Sequence, residues 1–266
     1  MSFQVSANPH FSRLTISVLL LAFCFVLFVP LAWPQHSHDM PGHDMSGMDD
    51  MPGMHHDTNA PEDPAVVAKR LADKCESEFN HHLAGALVAL AGLFLLAEGL
   101  LAKHWSGVRY IWPMCFLAAG LFLLIFSDTD IWPFGSLSPW YALTHNAEDL
   151  QHKVFSVILL ALGYVEIQRV RGRFTAAWTA WVFPVMSASG ATLLLFHAHG
   201  GDMSAPHAME VMERVQRQHA WFAATGFGIA LTSGLAGTPS GLQRIFKWIW
   251  PLFLIALGVL LILYVE

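Results

Sequence analysis

The sequence predicts an all-α membrane protein, a bundle of six transmembrane helices built as three helical hairpins behind an N-terminal signal or anchor segment. Three observations lead to this fold. Of the 266 residues, 55% are hydrophobic and only 13% are charged, whereas about 25% of a soluble chain is charged. Six apolar runs are each long enough to cross a bilayer. The runs also recur in pairs that share the same landmarks.

Residues 1–35 are predicted to be a signal peptide or an uncleaved anchor. The apolar run Leu14–Val29 follows the basic residue Arg13 and ends in a proline-containing stretch. Either form exports the chain that follows. We expect a disordered tract over residues 36–62 and a membrane domain over residues 63–266.

The six spans alternate between short basic connections and connections without a net positive charge. Positively charged loops stay in the cytoplasm, which predicts that residue 35 onward lies in the periplasm and that the spans cross a bacterial inner membrane. The spans are predicted near His82–Lys103, Arg109–Ser127, His152–Arg169, Phe174–His197, His219–Leu235 and Ile245–Val265.

Three hairpin repeats, at about 63–133, 134–203 and 204–266, share a histidine at the start of the first span and an aromatic-proline pair near the cytoplasmic end of the second. The histidines are His82, His152 and His219, and the pairs are Trp112-Pro113, Phe183-Pro184 and Trp250-Pro251. A glycine follows each proline, at Gly120, Gly190 and Gly258. We interpret the aromatic residues as an interfacial belt beside a helix kink. The three histidines are predicted to converge at the outer mouth of the bundle.

The most specific chemical signal is the exported tract. It alternates histidine and methionine with Gly, Pro, Ser and Asp, and such a segment cannot build a core. Imidazole and thioether together are typical copper ligands, because sulfur suits Cu(I) and imidazole suits Cu(II). The candidate ligands are His36, His38, Met40, His43, Met45, Met48, Met51, Met54, His55 and His56.

Further candidate metal ligands lie on the same predicted side of the membrane. Cys75, His145 and Met212 each precede a leading histidine by seven residues, and His81 is adjacent to His82. A second cluster between the fourth and fifth spans contains His197, His199, Met203, His207 and Met209. Of the 15 histidines, only His10 and His104 are predicted to lie elsewhere.

Two intramembrane acids, Glu98 and Glu166, lie near the predicted cytoplasmic surface, close to Lys103 and Arg169. Acids at this depth commonly reach the headgroups. A proton or cation relay is the alternative.

The exported His/Met units and the outward-facing histidines resemble the D-type (CopD-like) inner-membrane proteins of bacterial copper-resistance systems. The resemblance rests on ligand composition and topology, and it implies copper passage or handover, with periplasmic copper-binding proteins as candidate partners. We therefore expect a copper-handling membrane protein rather than an enzyme. It would bind Cu(I), Cu(II) or both.

Two other functions remain open at this point. A membrane b-type cytochrome would use two facing histidines to bind haem, and a copper-dependent membrane oxidase would use the metal catalytically. A nucleic-acid partner is not expected, because the net charge is −6 and phosphate binding needs a basic face.

Overall fold

The structure is a computed structural model that describes residues 64–128, 131, 134–196, 208–238 and 243–266. Its helices are α1 (Pro64–Leu101), α2 (Ile111–Phe126), α3 (Pro139–His145), α4 (Ala147–Val170), α5 (Val182–Leu195), α6 (Ala208–Gly237) and α7 (Gln243–Ile262). Short 3₁₀ turns over Ser106–Tyr110 and Ala177–Trp181 lead directly into α2 and α5.

The prediction of an all-α bundle is confirmed, since six of the described helical segments are long and apolar enough to cross a membrane. They contain all the helices above except the short α3. The first of them, α1, has 38 residues, about 57 Å at 1.5 Å per residue. Because the apolar layer of a bilayer is about 30 Å thick, α1 extends several turns beyond the bundle.

The six long helices form a closed ring in chain order. Each packs on the next, so that α1 is followed by α2, α4, α5, α6 and α7, and α7 returns to pack along α1. The three hairpins α1–α2, α4–α5 and α6–α7 therefore surround a common axis. The most extensive contacts between hairpins join α7 to α1, α2 to α4 and α5 to α6.

Small residues allow these helices to approach closely, as is common in membranes. A Cβ on Gly258 of α7 would lie 2.4 Å from the backbone nitrogen of Ala89 in α1. A Cβ on Gly120 of α2 would lie 2.9 Å from the backbone nitrogen of Leu160 in α4. The third repeat glycine, Gly190 of α5, differs, because its Cβ would meet only Phe155, at 3.5 Å. Two of the repeat glycines thus lie where neighbouring helices approach closely, and the third has room for a Cβ atom.

The aromatic residues before the prolines do not form an interfacial belt, so that prediction is wrong. Trp112 and Phe183 are buried, and with Trp250 they meet on the axis of the bundle. The ring centroids are 6.1 Å apart for Trp112–Phe183, 6.0 Å for Trp112–Trp250 and 5.2 Å for Phe183–Trp250. All three pairs are edge-to-face, the favourable arrangement for aromatic rings. We call these residues the aromatic triad.

The repeat prolines occupy two kinds of position. Pro113 and Pro184 lie in the first turns of α2 and α5, where backbone N–H groups have no partner within the helix, so the missing N–H costs little. Pro251 lies inside α7. Of the three repeat prolines, only Pro251 therefore occupies the helix interior that a kink requires, and the first two mark helix starts.

Candidate functional site

A cavity of about 490 Å³ opens at the end of the bundle that carries His81, His152 and His219, and it is lined by all six long helices. We call this end the histidine end and the space the histidine cavity. Along α1 the lining residues are spaced three or four positions apart, with adjacent pairs at 76–77 and 80–81, which places them on one helix face: Lys69, Asp73, Glu76, Ser77, Asn80, His81, Ala84 and Val88. One stripe of α1 therefore leads from near its start into the bundle.

The three cavity histidines share one hydrogen-bonding arrangement. The Nδ1 of His81 lies 2.8 Å from the carbonyl oxygen of Ser77, and the Nδ1 of His219 lies 2.9 Å from the carbonyl of Val215. A carbonyl can only accept, so each Nδ1 donates and the neutral ring carries its lone pair on Nε2. The Nδ1 of His152 lies 2.8 Å from Oδ1 of Asp128. An oxygen acceptor on one ring nitrogen is the usual environment of a metal-binding histidine.

His81 and His219 face each other across the ring closure of the bundle. Their ring centroids are 5.8 Å apart, and His81 is stacked on Tyr264 at 3.8 Å. Phe222 packs against both histidines. His219, Phe222 and Tyr264 are almost completely buried, so this group of rings is held rigidly by packing from α1, α6 and the segment after α7.

Asp128 links the end of α2 to the start of α4. Besides His152, it pairs with Lys153 through Oδ2, at 2.6 Å, and accepts a hydrogen bond from Ser127 Oγ at 2.6 Å. Burial raises the pKa of Asp128, but the hydrogen bond and charge of His152, with the hydrogen bonds from Lys153 and Ser127, outweigh burial and leave the pKa below its ordinary value. Asp128 is therefore an anion that holds His152 in place.

The mouth of the histidine cavity is acidic. Among the described residues that line it, six carry carboxylate side chains and one is a lysine: Asp73, Glu76, Asp128, Glu148, Asp149 and Glu266, with Lys69. A cleft with one sign of charge concentrates counter-ions and raises their rate of association. The mouth favours cations over anions.

Some predicted site residues do not face this cavity. His82 does not line it; its Nε2 lies 3.0 Å from the carbonyl of Tyr264, so it links α1 to the end of the chain. His145 is exposed and stacks on Tyr141. Cys75 is an exposed free thiol.

Met209 and Met212 lie near the start of α6, and Met209 is 71% exposed. Neither lines the cavity. The histidine and methionine residues of tract 36–56, together with His197, His199, Met203 and His207, lie outside the described residues.

A second cavity, of about 770 Å³, lies at the opposite end of the bundle. We call it the arginine cavity, because its lining includes Arg109, Arg169, Arg244 and Lys247. The two predicted intramembrane acids line it as well. Glu98 pairs with Arg109 at 3.6 Å, and Glu166 accepts hydrogen bonds from Arg169 at 2.7 and 3.0 Å.

The side chain of Glu166 is 5% exposed. It therefore does not reach towards headgroups, as the sequence suggested, but is buried and pairs within α4 with the half-buried Arg169.

The aromatic triad separates the two cavities. Phe183 lines both of them, and Trp112 and Trp250 line the arginine cavity. The bundle interior therefore has an acidic, histidine-lined half and a basic half, with packed rings between them.

Within the described part of the chain, no three His, Cys, Asp or Glu side chains lie close enough to hold one metal ion. Comparison of the chain with protein-family models, with curated proteins and with solved structures finds no match.

Proposed function

We propose that this protein handles copper at the histidine end of a membrane-embedded bundle. The tract at residues 36–56 captures the ion, and the histidines of the histidine cavity receive it. In this proposal the bundle lies in a bacterial inner membrane with its histidine end towards the periplasm. The observation that carries the proposal is that His81 and His219, on two different hairpins, each donate Nδ1 to a backbone carbonyl and lie with their rings 5.8 Å apart beside the cavity.

The position of the tract supports transfer to the cavity. Residue 56 precedes the start of α1 by eight positions, and one face of α1 lines the cavity from Lys69 to His81. Five methionines and five histidines in the tract supply ligands for both oxidation states of copper. Zinc would favour cysteine over methionine, and magnesium or calcium would favour oxygen.

His81 and His219 are the proposed receiving pair. Two imidazoles on different helices provide two ligands, and a thioether or imidazole of the tract provides the others, so that the complete site forms only during transfer. The acidic mouth concentrates the cation, and the oxygen partners of Nδ1 keep each Nε2 in the form that binds metal.

The test is copper binding by the purified full chain in detergent, titrated with Cu(I) under reducing conditions against a competing chelator. Deletion of residues 36–56 is expected to lower the number of bound ions. The additional changes His81→Ala and His219→Ala are expected to remove the copper that remains. His82→Ala is the matched control, because His82 bonds to a backbone carbonyl outside the cavity. Unchanged stoichiometry in the deletion and in the double variant would reject the proposal.

A b-type cytochrome is the second candidate, because His81 and His219 lie on different helices with their rings 5.8 Å apart. Its signature is a Soret absorption band in the purified protein that is lost in the same double variant. A colourless protein that binds copper decides for the first candidate.

A further inference from the structure

The histidine cavity continues below its histidines into the apolar core of the bundle. Its deeper walls include Val88, Phe116, Phe155, Ile158, Met186 and Ile229, and Phe183 of the aromatic triad forms its floor. Apart from Ser187, which follows Met186 in the deeper wall, the polar lining residues belong to the mouth. The space is therefore amphipathic, with charged and hydrogen-bonding groups at one end and aliphatic and aromatic side chains at the other.

The volume of the cavity matches that of binding sites for small organic molecules. About 490 Å³ falls within the range of roughly 300–1,000 Å³ that is typical of sites for small organic molecules. A metal ion bound at the histidines would not fill the apolar depth, and water gains few hydrogen bonds between such walls. A phospholipid with two long acyl chains is too large.

The negative charge of the mouth disfavours small molecules that are anionic. With six lining carboxylate side chains and one lysine, the mouth repels fatty acids and other anionic amphiphiles. Where the polar lining meets the apolar walls, the carboxylate of Asp128 is already compensated by Lys153 and His152. At this boundary the cavity suits a neutral head group that both donates and accepts hydrogen bonds.

The aromatic walls suit a planar molecule. Phe222, which contacts His81 and His219, lines the cavity at the level of the histidines, and aromatic side chains pack favourably against flat rings; Phe116, Phe155 and Phe183 line the apolar depth below it. Hydroxyl or carbonyl oxygens on such a ring match the donors and acceptors near Asn80, Asp128 and His152.

We propose that the histidine cavity binds one molecule of the quinone or quinol class, with its oxygen-bearing ring towards Asp128 and His152 and its apolar tail towards the aromatic triad. This binding site is independent of copper capture by the tract. It gives the bundle a membrane-soluble ligand in addition to a metal ion.

Gly190 offers a way to block the cavity without disturbing the helix packing. It lines the cavity, and an added Cβ would meet only Phe155, at 3.5 Å, so a leucine at this position extends into the space. Gly190→Leu also replaces a residue that disfavours helices. The matched control is Gly99→Leu, since Gly99 has no atom within 4 Å of its ideal Cβ and lies at the arginine cavity.

The experiment measures equilibrium binding of decylubiquinone to the full chain in lipid nanodiscs, with empty nanodiscs as the partition control. Saturable binding is expected for the unchanged protein and for Gly99→Leu. Gly190→Leu is expected to weaken binding at least tenfold, while its thermal unfolding temperature does not fall and its copper stoichiometry stays unchanged. Should Gly190→Leu fail to fold, Ser187→Leu narrows the same cavity from α5.

Equal decylubiquinone binding by all variants would overturn the proposal, because the quinone would then be dissolved in lipid. So would saturable binding of a cationic amphiphile such as dodecyltrimethylammonium together with no saturable binding of decylubiquinone, which would assign the cavity to cations. Because copper stoichiometry is measured in parallel, failure of this inference is distinguishable from failure of the proposed function.

Discussion

The two cavities of this bundle have similar walls but opposite charge. The histidine cavity is lined by six carboxylate side chains and one lysine, whereas the described lining of the arginine cavity has four basic residues and two acids. Their ion pairs differ as well. Asp128 pairs with His152 and Lys153 across two helices, while Glu166 pairs with Arg169 inside one helix.

The charged residues at the two ends have different physical explanations. Basic residues at one end of a helix bundle follow from the rule that sets membrane orientation, and no ligand is needed to explain them. The side chains of Asp128 and Glu166 are equally buried, at 5% exposure each, and burying a charge carries a desolvation cost. Glu166 offsets that cost with an arginine of its own helix, whereas Asp128 and His152 bridge two helices. We therefore expect function at the histidine end.

The largest expected effect comes from removing the partition between the cavities. Phe183→Ala deletes a fully buried ring that contacts Trp112 and Trp250, and such changes cost about 3–5 kcal/mol. We expect a clear fall in the thermal unfolding temperature in detergent. Phe227→Ala, which removes a 40% exposed ring from α6, is the control and should change stability little. An equal fall in unfolding temperature in the two variants would mean that the aromatic triad stabilises the bundle no more than an exposed ring does.

The second largest expected effect is the loss of stability when an ion pair at the histidine end is broken, compared with one at the arginine end. Asp128→Ala leaves His152 and Lys153 without their carboxylate partner, and breaking a buried pair costs about 3 kcal/mol or more. Glu98→Ala removes a pair in which Arg109 is 54% exposed, and exposed pairs contribute about 0–1 kcal/mol. Chemical unfolding of both variants measures the difference. A larger loss for Glu98→Ala would reverse our ranking of the two ends.

The smallest expected effect is the change in unfolding temperature when each of two repeat glycines is replaced by alanine. Gly258→Ala places a methyl group 2.4 Å from a backbone nitrogen of α1, and overpacking of this kind costs about 1–3 kcal/mol. Gly190→Ala has room for its methyl group and gains up to about 1 kcal/mol of helix propensity. Unfolding temperatures should move in opposite directions. Identical shifts would contradict the close approach of α7 and α1.

The fold could be predicted from the sequence because membrane helices are encoded locally. Apolar length and the spacing between histidine and proline were sufficient to locate all six spans, and the helices extend beyond the predicted bounds mainly at polar ends such as Pro64–His81. Convergence of equivalent positions was expected only of the histidines; for the aromatic residues the sequence predicted an interfacial belt, and their packing against one another inside the bundle was not predicted.

Less of the candidate site than of the fold could be predicted from the sequence. The repeat pattern selected His82, but the cavity is lined by His81, because neighbouring residues on a helix point about 100° apart and the orientation of α1 depends on its packing against α7. Asp128 and Tyr264 were visible as the ends of the second and sixth spans. Their contacts with His152 and His81 depend on tertiary structure, which no spacing rule provides.

The three repeat glycines occupy the same repeat position in different surroundings. Two copies of the glycine hold neighbouring helices together, while the copy in the middle hairpin borders empty space. The same residue type at the same repeat position thus has two uses, close helix packing in the outer hairpins and free volume beside the cavity in the middle one.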